Sequence, residues 1–533
     1  MRSSARLLTL AANALLLSAC GDFSEGQAVD VAVAEEALNL TFAQHQTACQ
    51  SDPRVQSGVV SLAECIGADI FFRENFNGNG RTCGTCHRVE RNFAIDPPFI
   101  ARLPASDPLF IAENQSDGLA LNGLEIPAQM RARGLILENV DGTAPEGPTV
   151  RFVLRSVPHT LSMATSTTSP TSGTPAERTG WGGDGAPGQG RLADFTQGAT
   201  VQHFTRSLNR VPGTDFRNVT EQEGQAVATF LRQLGRLNEV DLNGIGFSDA
   251  GADIGRQRFV AVGCGNCHGN AGANSFGANG NFLTGVDVVR NPALDAFPND
   301  GGFLVIQGQA PPGAIGDGSF NAPPLIEAAD TGPFFHTDTQ IINAPAENTS
   351  SARTIEQAVA FYNSQAFFLP MDATDIANIG RFLRALNAVF NIQMASNRII
   401  GARNMGNVLG NVARVDRMQR RLAQMTLFEL DDAVRVLSGV PNLNTAQANG
   451  VRAARTRIET VVATPGTSAA AFNTRMTNLN NAFNDLDLAD SGISANVTFN
   501  IGNATRMDCA DPSTNTQPGN APCFNPALRT PAP

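Results

Sequence analysis

The chain has 533 residues, 38 Lys+Arg against 49 Asp+Glu, a formal charge of −11, 42% hydrophobic and 16% charged positions, 51 Gly and 30 Pro. That length exceeds what one hydrophobic core supports, since single cores rarely grow beyond about 250–300 residues. No lysine occurs, so every basic side chain is Arg, and the acidic balance excludes a nucleic-acid partner, which needs a concentrated positive face. Apart from the first twenty residues, the apolar runs are too short or too interrupted to span a bilayer.

The first element is a targeting segment. Arg2 and Arg6 precede an apolar run from Leu7 to Leu17, and Leu17-Ser18-Ala19-Cys20 follows at once, in the charged, apolar, small-residue order of a secretory signal. A cysteine after Leu-Ser-Ala resembles the bacterial lipobox, in which Cys20 is acylated and becomes the mature first residue. This predicts a signal over 1–19 and an exported protein, lipid-anchored in the periplasm or outer membrane of a Gram-negative bacterium. A small, polar tether is expected over 20–55, with His45 solvated within it.

An apolar periodicity from Val59 to Asn75 then predicts a helix leading into Cys83-Gly84-Thr85-Cys86-His87, and a second such string, Cys264-Gly265-Asn266-Cys267-His268, follows later. C-x-x-C-H reads as covalent c-type haem attachment: two thiols add to the two vinyl groups of one porphyrin, and the adjacent His is placed beneath the iron. A redox C-x-x-C pair does not require the His, and a structural zinc site needs further ligands at regular offsets. Two haem c groups are therefore expected, on Cys83, Cys86 and His87 and on Cys264, Cys267 and His268. Cys49, Cys65, Cys509 and Cys523 allow three pairings. The local pairs Cys49–Cys65 and Cys509–Cys523 each close a short loop and suit an exported protein.

Residues 165–190 are rich in Ser, Thr, Gly and Pro and read as a long irregular loop. Residues 221–237 and 374–389 read as amphipathic helices of matching pattern, and 396–490 as further helices with Arg-rich faces and no His or Cys. The matching helices expose an internal repeat. The first half runs haem string, Pro158-His159-Thr160-Leu161, Gly180-Trp181-Gly182-Gly183-Asp184, Leu192-Ala193-Asp194, helix; the second runs haem string, Pro323-Pro324-Leu325, Phe335-His336-Thr337-Asp338, Ile355-Glu356-Gln357, helix. The expected fold is mainly α, with two cytochrome c-like haem domains (56–240 and 241–395), a helical extension over 396–505 and a disulfide-bearing tail over 506–533. Setting Leu192 against Ile355 places Tyr362, the single tyrosine, opposite Ala199. A phenolate can close an iron from its sixth side; a methyl cannot. One haem is then saturated and the other open, unless Tyr362 is an ordinary helix-face aromatic.

These motifs resemble the bacterial di-haem cytochrome c peroxidase superfamily, over about residues 60–390. FNAPPLIEAADTGPFFHTD resembles the family's proline–leucine segment ending in aromatic-His-Asp, TIEQAVAFYN the helix bearing the second haem's distal ligand, and WGGDG the inter-haem tryptophan segment. The resemblance implies that Trp181 carries electrons between the haems, that His336 hydrogen-bonds near a haem propionate or ligates axially, and that Tyr362 closes the second haem, as in the methylamine-utilisation member of the superfamily, where peroxidases usually have Met. Met371, in Leu369-Pro370-Met371, competes as that ligand, and His159 is an alternative sixth ligand for the first haem.

The departures bear on the reaction. Where peroxidases carry Gln and Glu in the open pocket, this register holds Phe195 and Thr205, so the carboxylate acid–base is missing. His203, one turn past Ala199, could substitute for it or be structural, and Phe195 resembles the apolar pocket of di-haem rubber oxygenases. Ser156 stands where the family's calcium-binding Asn is expected, so a calcium ion between the domains is not assigned. The implied activity is reduction of H2O2, or activation of O2, at the first haem with electrons relayed by the second from a redox partner such as a small cytochrome or cupredoxin. The rival reading is a non-enzymatic carrier with both haems six-coordinate.

Overall fold

The computed structural model describes residues 40–114, 130–131, 134–138, 153–167, 191–207, 209–272, 274–275, 278–279, 281–282, 320–332, 334, 352, 354–363, 369–511, 513, 523–530 and 533. The signal, Cys20, Trp181, His336 and most of the 165–190 loop lie outside them. The described chain is mainly helical, with strands β1 (Leu135–Glu138) and β2 (Val153–Ser156) paired antiparallel and two further pairings of two residues each. No described helix is long and apolar enough to cross a membrane.

Capping residues set where the helices start. After α1 (Phe42–Gln50), α2 (Leu62–Arg73) opens at Ser61, whose hydroxyl accepts the Glu64 amide while the Glu64 carboxylate accepts the Ser61 amide at 2.6 Å. Reciprocal bonds of this kind satisfy two donors that the first turn leaves open. After α3 (Leu192–His203), Thr220 and Glu223 open α4 (Glu221–Arg232) in the same way. Asp249 caps α5 (Ala250–Ala261), Thr354 caps α6 (Ile355–Phe361) and Asp372 caps α7 (Ala373–Leu409).

Two helix crossings occupy the regions next to the two C-x-x-C-H strings. α2 packs on α4 and α5 on α7, each through a glycine. A Cβ at Gly67 would stand 2.0 Å from the Ala226 carbonyl oxygen, and one at Gly255 would stand 1.9 Å from that of Asn378. Only glycine permits such backbone approach. Four residues on, Phe71 meets Phe230 with ring centroids 5.3 Å apart, and Phe259 meets Phe382 at 5.6 Å.

The helix expected over 374–389 runs on through Leu409, so the border expected at 395/396 falls inside α7. Its apolar face never lapses: Val389, Ile392, Ala395, Ile399, Ala402 and Met405 are all buried, and the helix stops at Gly410, whose φ of 71° no other residue adopts readily. α8 (Ala413–Ser438), α9 (Thr445–Val462) and α10 (Ala469–Ile493) pack in succession, and α10 returns to α7. Several arginines of this extension point inward instead of forming solvated faces. Arg398 and Arg475 are fully buried, the first 2.7 Å from Glu429 and the second 3.0 Å from Asp416. The chain then recrosses the body, with Leu237 donating to the Asn500 carbonyl at 2.8 Å and Arg54 bridging Asp52 and Asp508 at 2.7 and 2.8 Å. Ala34–Pro533 forms one compact unit.

Both local disulfides, Cys49–Cys65 and Cys509–Cys523, are formed. The first corrects the expectation for His45. By pinning α1 to α2 it buries His45 completely, with Nδ1 2.8 Å from Asp69 and Nε2 3.5 Å from Glu74. The polar sequence FAQHQTACQ shows no apolar stripe, yet its residues belong to the folded body and not to a solvated tether.

Candidate functional site

Each C-x-x-C-H string forms one tight turn. Cys83–Cys86 is a helical turn in which a Cβ at Gly84 would stand 2.5 Å from the Phe72 ring, and Cys264–Asn266 is a 3-10 turn. Their four cysteines lie outside the two disulfides, which pair Cys49 with Cys65 and Cys509 with Cys523. Burial pushes the Cys83 thiol up to about 12, with Cys86 adding to the shift, and the Cys264 thiol up to about 11. A redox C-x-x-C works through the opposite shift, a depressed thiol. Among the described residues no group of three or more His, Cys, Asp and Glu is arranged to hold a metal ion.

The two histidines are held alike. His87 Nδ1 lies 2.9 Å from the Phe93 carbonyl oxygen, and the His87 ring also bonds the Pro158 carbonyl; His268 Nδ1 lies 2.9 Å from the Pro323 carbonyl oxygen. Phe93 turns its carbonyl back because Asn92 and Phe93 both adopt left-handed backbone, φ 53° and 57°. Pro323 is brought in by the Leu325 amide, which donates to the Ala271 carbonyl at 2.9 Å. Burial keeps both rings neutral, lowering His87 and taking His268 to about 4. A neutral imidazole whose Nδ1–H is engaged by a carbonyl presents its Nε2 lone pair, the form in which His ligates a metal.

α3 and α6 begin at Leu192 and Ile355, each the first buried residue after its cap. The helices then diverge. α3 continues past Ala199 to His203, with Phe195, Ala199 and Gln202 half-buried on one side, while Leu192, Ala193, Thr196 and Thr200 are buried. The α-helical part of α6 ends at Phe361 and the chain continues as a π turn at Tyr362 and Asn363, with Tyr362 half-buried and its ring 5.3 Å from that of Phe361. Asn363 Nδ2 donates to the Met371 carbonyl at 3.1 Å, which gathers Tyr362 and Met371 into one locality. The His203 carbonyl accepts from Asn79 Nδ2 at 3.0 Å, tying the end of α3 to the loop before Cys83.

His159 is buried; its Nδ1 accepts the Leu161 amide at 3.3 Å and its Nε2 has no hydrogen-bond partner among the described residues. Burial, followed by Arg236 and His87, pushes its pKa down to about 3. It directly follows Pro158, whose carbonyl bonds the His87 ring. The sequence reading missed a buried carboxylate cluster formed by Glu327, Asp330, Glu429 and Asp432. Its signal was available in FELDDAV, where acidic residues occupy core-facing positions of α8.

The chain matches no family model and no curated protein.

Proposed function

We propose that this protein is an exported, lipid-anchored di-haem c-type oxidoreductase of the cytochrome c peroxidase type, with two unequal haem sites. The observation that carries this reading is the duplicated arrangement of the two strings: a thiol pair outside the two disulfides followed by a neutral His whose Nδ1 is bonded to a backbone carbonyl, Phe93 in one string and Pro323 in the other. The paired crossings at Gly67 and Gly255, each followed by a Phe–Phe contact, support two related haem-bearing units.

Cys83 and Cys86 would hold one haem by thioether bonds with His87 as iron ligand, and Cys264, Cys267 and His268 the other. Bound haem iron supplies one-electron transfer and, where a coordination position is open, a site for peroxide or O2. The Phe93 and Pro323 carbonyls hold the two imidazoles in one tautomer and raise their basicity as ligands. Ala199 leaves space on the first site, and His203 at the end of the same helix is the group within reach to move a proton between peroxide oxygens. Tyr362 would close the second site, and Trp181, which lies outside the described residues, would carry electrons between the two haems as the resemblance implies.

An oxygenase reading is favoured over plain peroxide reduction by one feature, the half-buried Phe195 on the Ala199 side of α3, because an apolar wall suits O2 better than peroxide. The carrier reading needs a sixth ligand for the first haem, for which the buried His159, with its Nε2 unpartnered among the described residues, is the candidate. The test is the haem-to-protein ratio of the chain made with cytochrome c maturation. Two covalent haems per chain support the reading; fewer than two contradict it.

A further inference from the structure

The carboxylate cluster connects the backs of the two histidines. From the first string, His87 Nδ1 bonds the Phe93 carbonyl, and the adjacent Asn92 donates through Nδ2 to Asp432 of α8 at 2.8 Å. From the second, His268 Nδ1 bonds the Pro323 carbonyl, and the same short loop carries Glu327 and Asp330 inward. Asp330 Oδ2 accepts from Asn391 at 2.9 Å and from Asn387 at 3.2 Å, both on α7, and Glu429 of α8 pairs with Arg398 at 2.7 Å. α8 therefore presents Glu429 and Asp432 between segments that hold the two imidazoles.

The cluster is unsatisfied as it stands. Glu327 is fully buried in left-handed backbone, φ 87°, and neither of its carboxylate oxygens has a hydrogen-bond partner among the described residues; Asp330 Oδ1 and Glu429 Oε2 also lack one. An ionised carboxylate in that position costs several kcal/mol, by order of magnitude, unless a proton neutralises it. Burial raises all three, Glu327 well above the usual range with Asp330 adding to the shift, and Asp330 and Glu429 each to about 7 with Asp432 adding. The charged groups facing them are Asp432 and Arg398, Arg236 from beyond α4, and Arg91 from beyond the first string. Asp432 pairs in turn with the half-exposed Arg435.

We propose that Glu327, Asp330 and Glu429 form a proton-accepting cluster shared by the two haem sites, which takes up one proton from solvent as an electron from the redox partner reaches either iron. The inference rests on the di-haem reading. The uptake is R–COO⁻ + H⁺ → R–COOH: the proton forms one O–H bond, the electron stays on the iron, and the added charges cancel inside a low-dielectric interior. A role follows for the C-terminal extension, which lends α8 to the coupling.

The test is a spectroelectrochemical titration of both haems across pH in the full chain and in Asp330→Asn and Glu327→Gln. One proton per electron lowers a potential by about 59 mV per pH unit, since a tenfold change is 59 mV for one electron. Both haems should show a falling potential of up to that slope around neutral pH, and each variant should flatten it while keeping two haems. Pairs of pH-independent potentials, or slopes unchanged in both variants, would overturn the proposal alone. A haem-to-protein ratio below two on the same samples would overturn it together with the reading beneath it. Redox-difference infrared spectra of the unaltered chain decide the matter even where a variant fails to fold. A carboxylic-acid C=O band should grow on reduction and shift in D2O, and its absence would overturn the proposal.

Discussion

The two C-x-x-C-H regions share a proximal geometry and differ in everything around it. His87 is held by Phe93, six residues away, on a left-handed turn that α8 braces through Asn92 and Asp432. His268 is held by Pro323, 55 residues away. α3 runs as a regular α-helix through Ala199 to His203, whereas α6 passes at Tyr362 and Asn363 into a π turn. The lesson is that a duplicated C-x-x-C-H string can reach one ring arrangement by two routes: a carbonyl holds each Nδ1, supplied by a local turn for His87 and by a segment distant in sequence for His268.

The largest way to break the comparison is to remove one attachment. Cys83→Ala with Cys86→Ala should halve the haem-to-protein ratio and leave the Cys264 site loaded, read by haemochrome absorbance on purified protein; an unchanged ratio ends the two-site reading. The disulfides come next, because each closes a short loop, with sequence separations of 16 and 14 residues. Cys49→Ala with Cys65→Ala should cost about 2–4 kcal/mol in a denaturant titration, through loss of the clamp that buries His45.

The helix crossings give a smaller, matched pair of effects. Gly67→Ala and Gly255→Ala each push a methyl into a backbone carbonyl and should each cost about 1–3 kcal/mol of stability. Each should also disturb the absorbance of the haem in its own half alone. A loss confined to one crossing would mean that the two units are not built alike.

The smallest effect is the pH response of His45. Burial alone pulls its pKa down, but Asp69 and Glu74 outweigh burial and leave it raised. Its contribution to stability is therefore fully present below the unfolded-state value of about 6.5 and is lost as pH rises through the folded one. The thermal midpoint of the unaltered chain should fall over that rise, and His45→Gln should remove that part of the pH dependence.

The sequence carried the attachment strings, the local disulfides and the starts of α2, α4, α6 and α7, because thiol spacing, capping residues and apolar period are local signals. It did not carry the burial of His45, since a disulfide and two distant carboxylates do that work while the segment itself is polar. Nor did it carry the length of α7. The expected helix was bounded by analogy with residues 221–237, and the apolar face that continues past residue 389 packs on elements that come later in the chain. The carboxylate cluster was hidden for a related reason: Glu327, Asp330, Glu429 and Asp432 are about 100 residues apart at the extremes, and a charge on an amphipathic helix reads as solvated until its neighbours are known.

The most direct test of two unequal haem sites is the EPR spectrum of the fully ferric protein beside that of Tyr362→Phe. One high-spin and one low-spin signal should appear, and the substitution should change the low-spin signal and raise that haem's potential, since a phenolate favours ferric iron, while leaving the high-spin signal in place. Two low-spin signals in the unaltered protein, or a low-spin signal that survives Tyr362→Phe and disappears in Met371→Ala, would contradict the account.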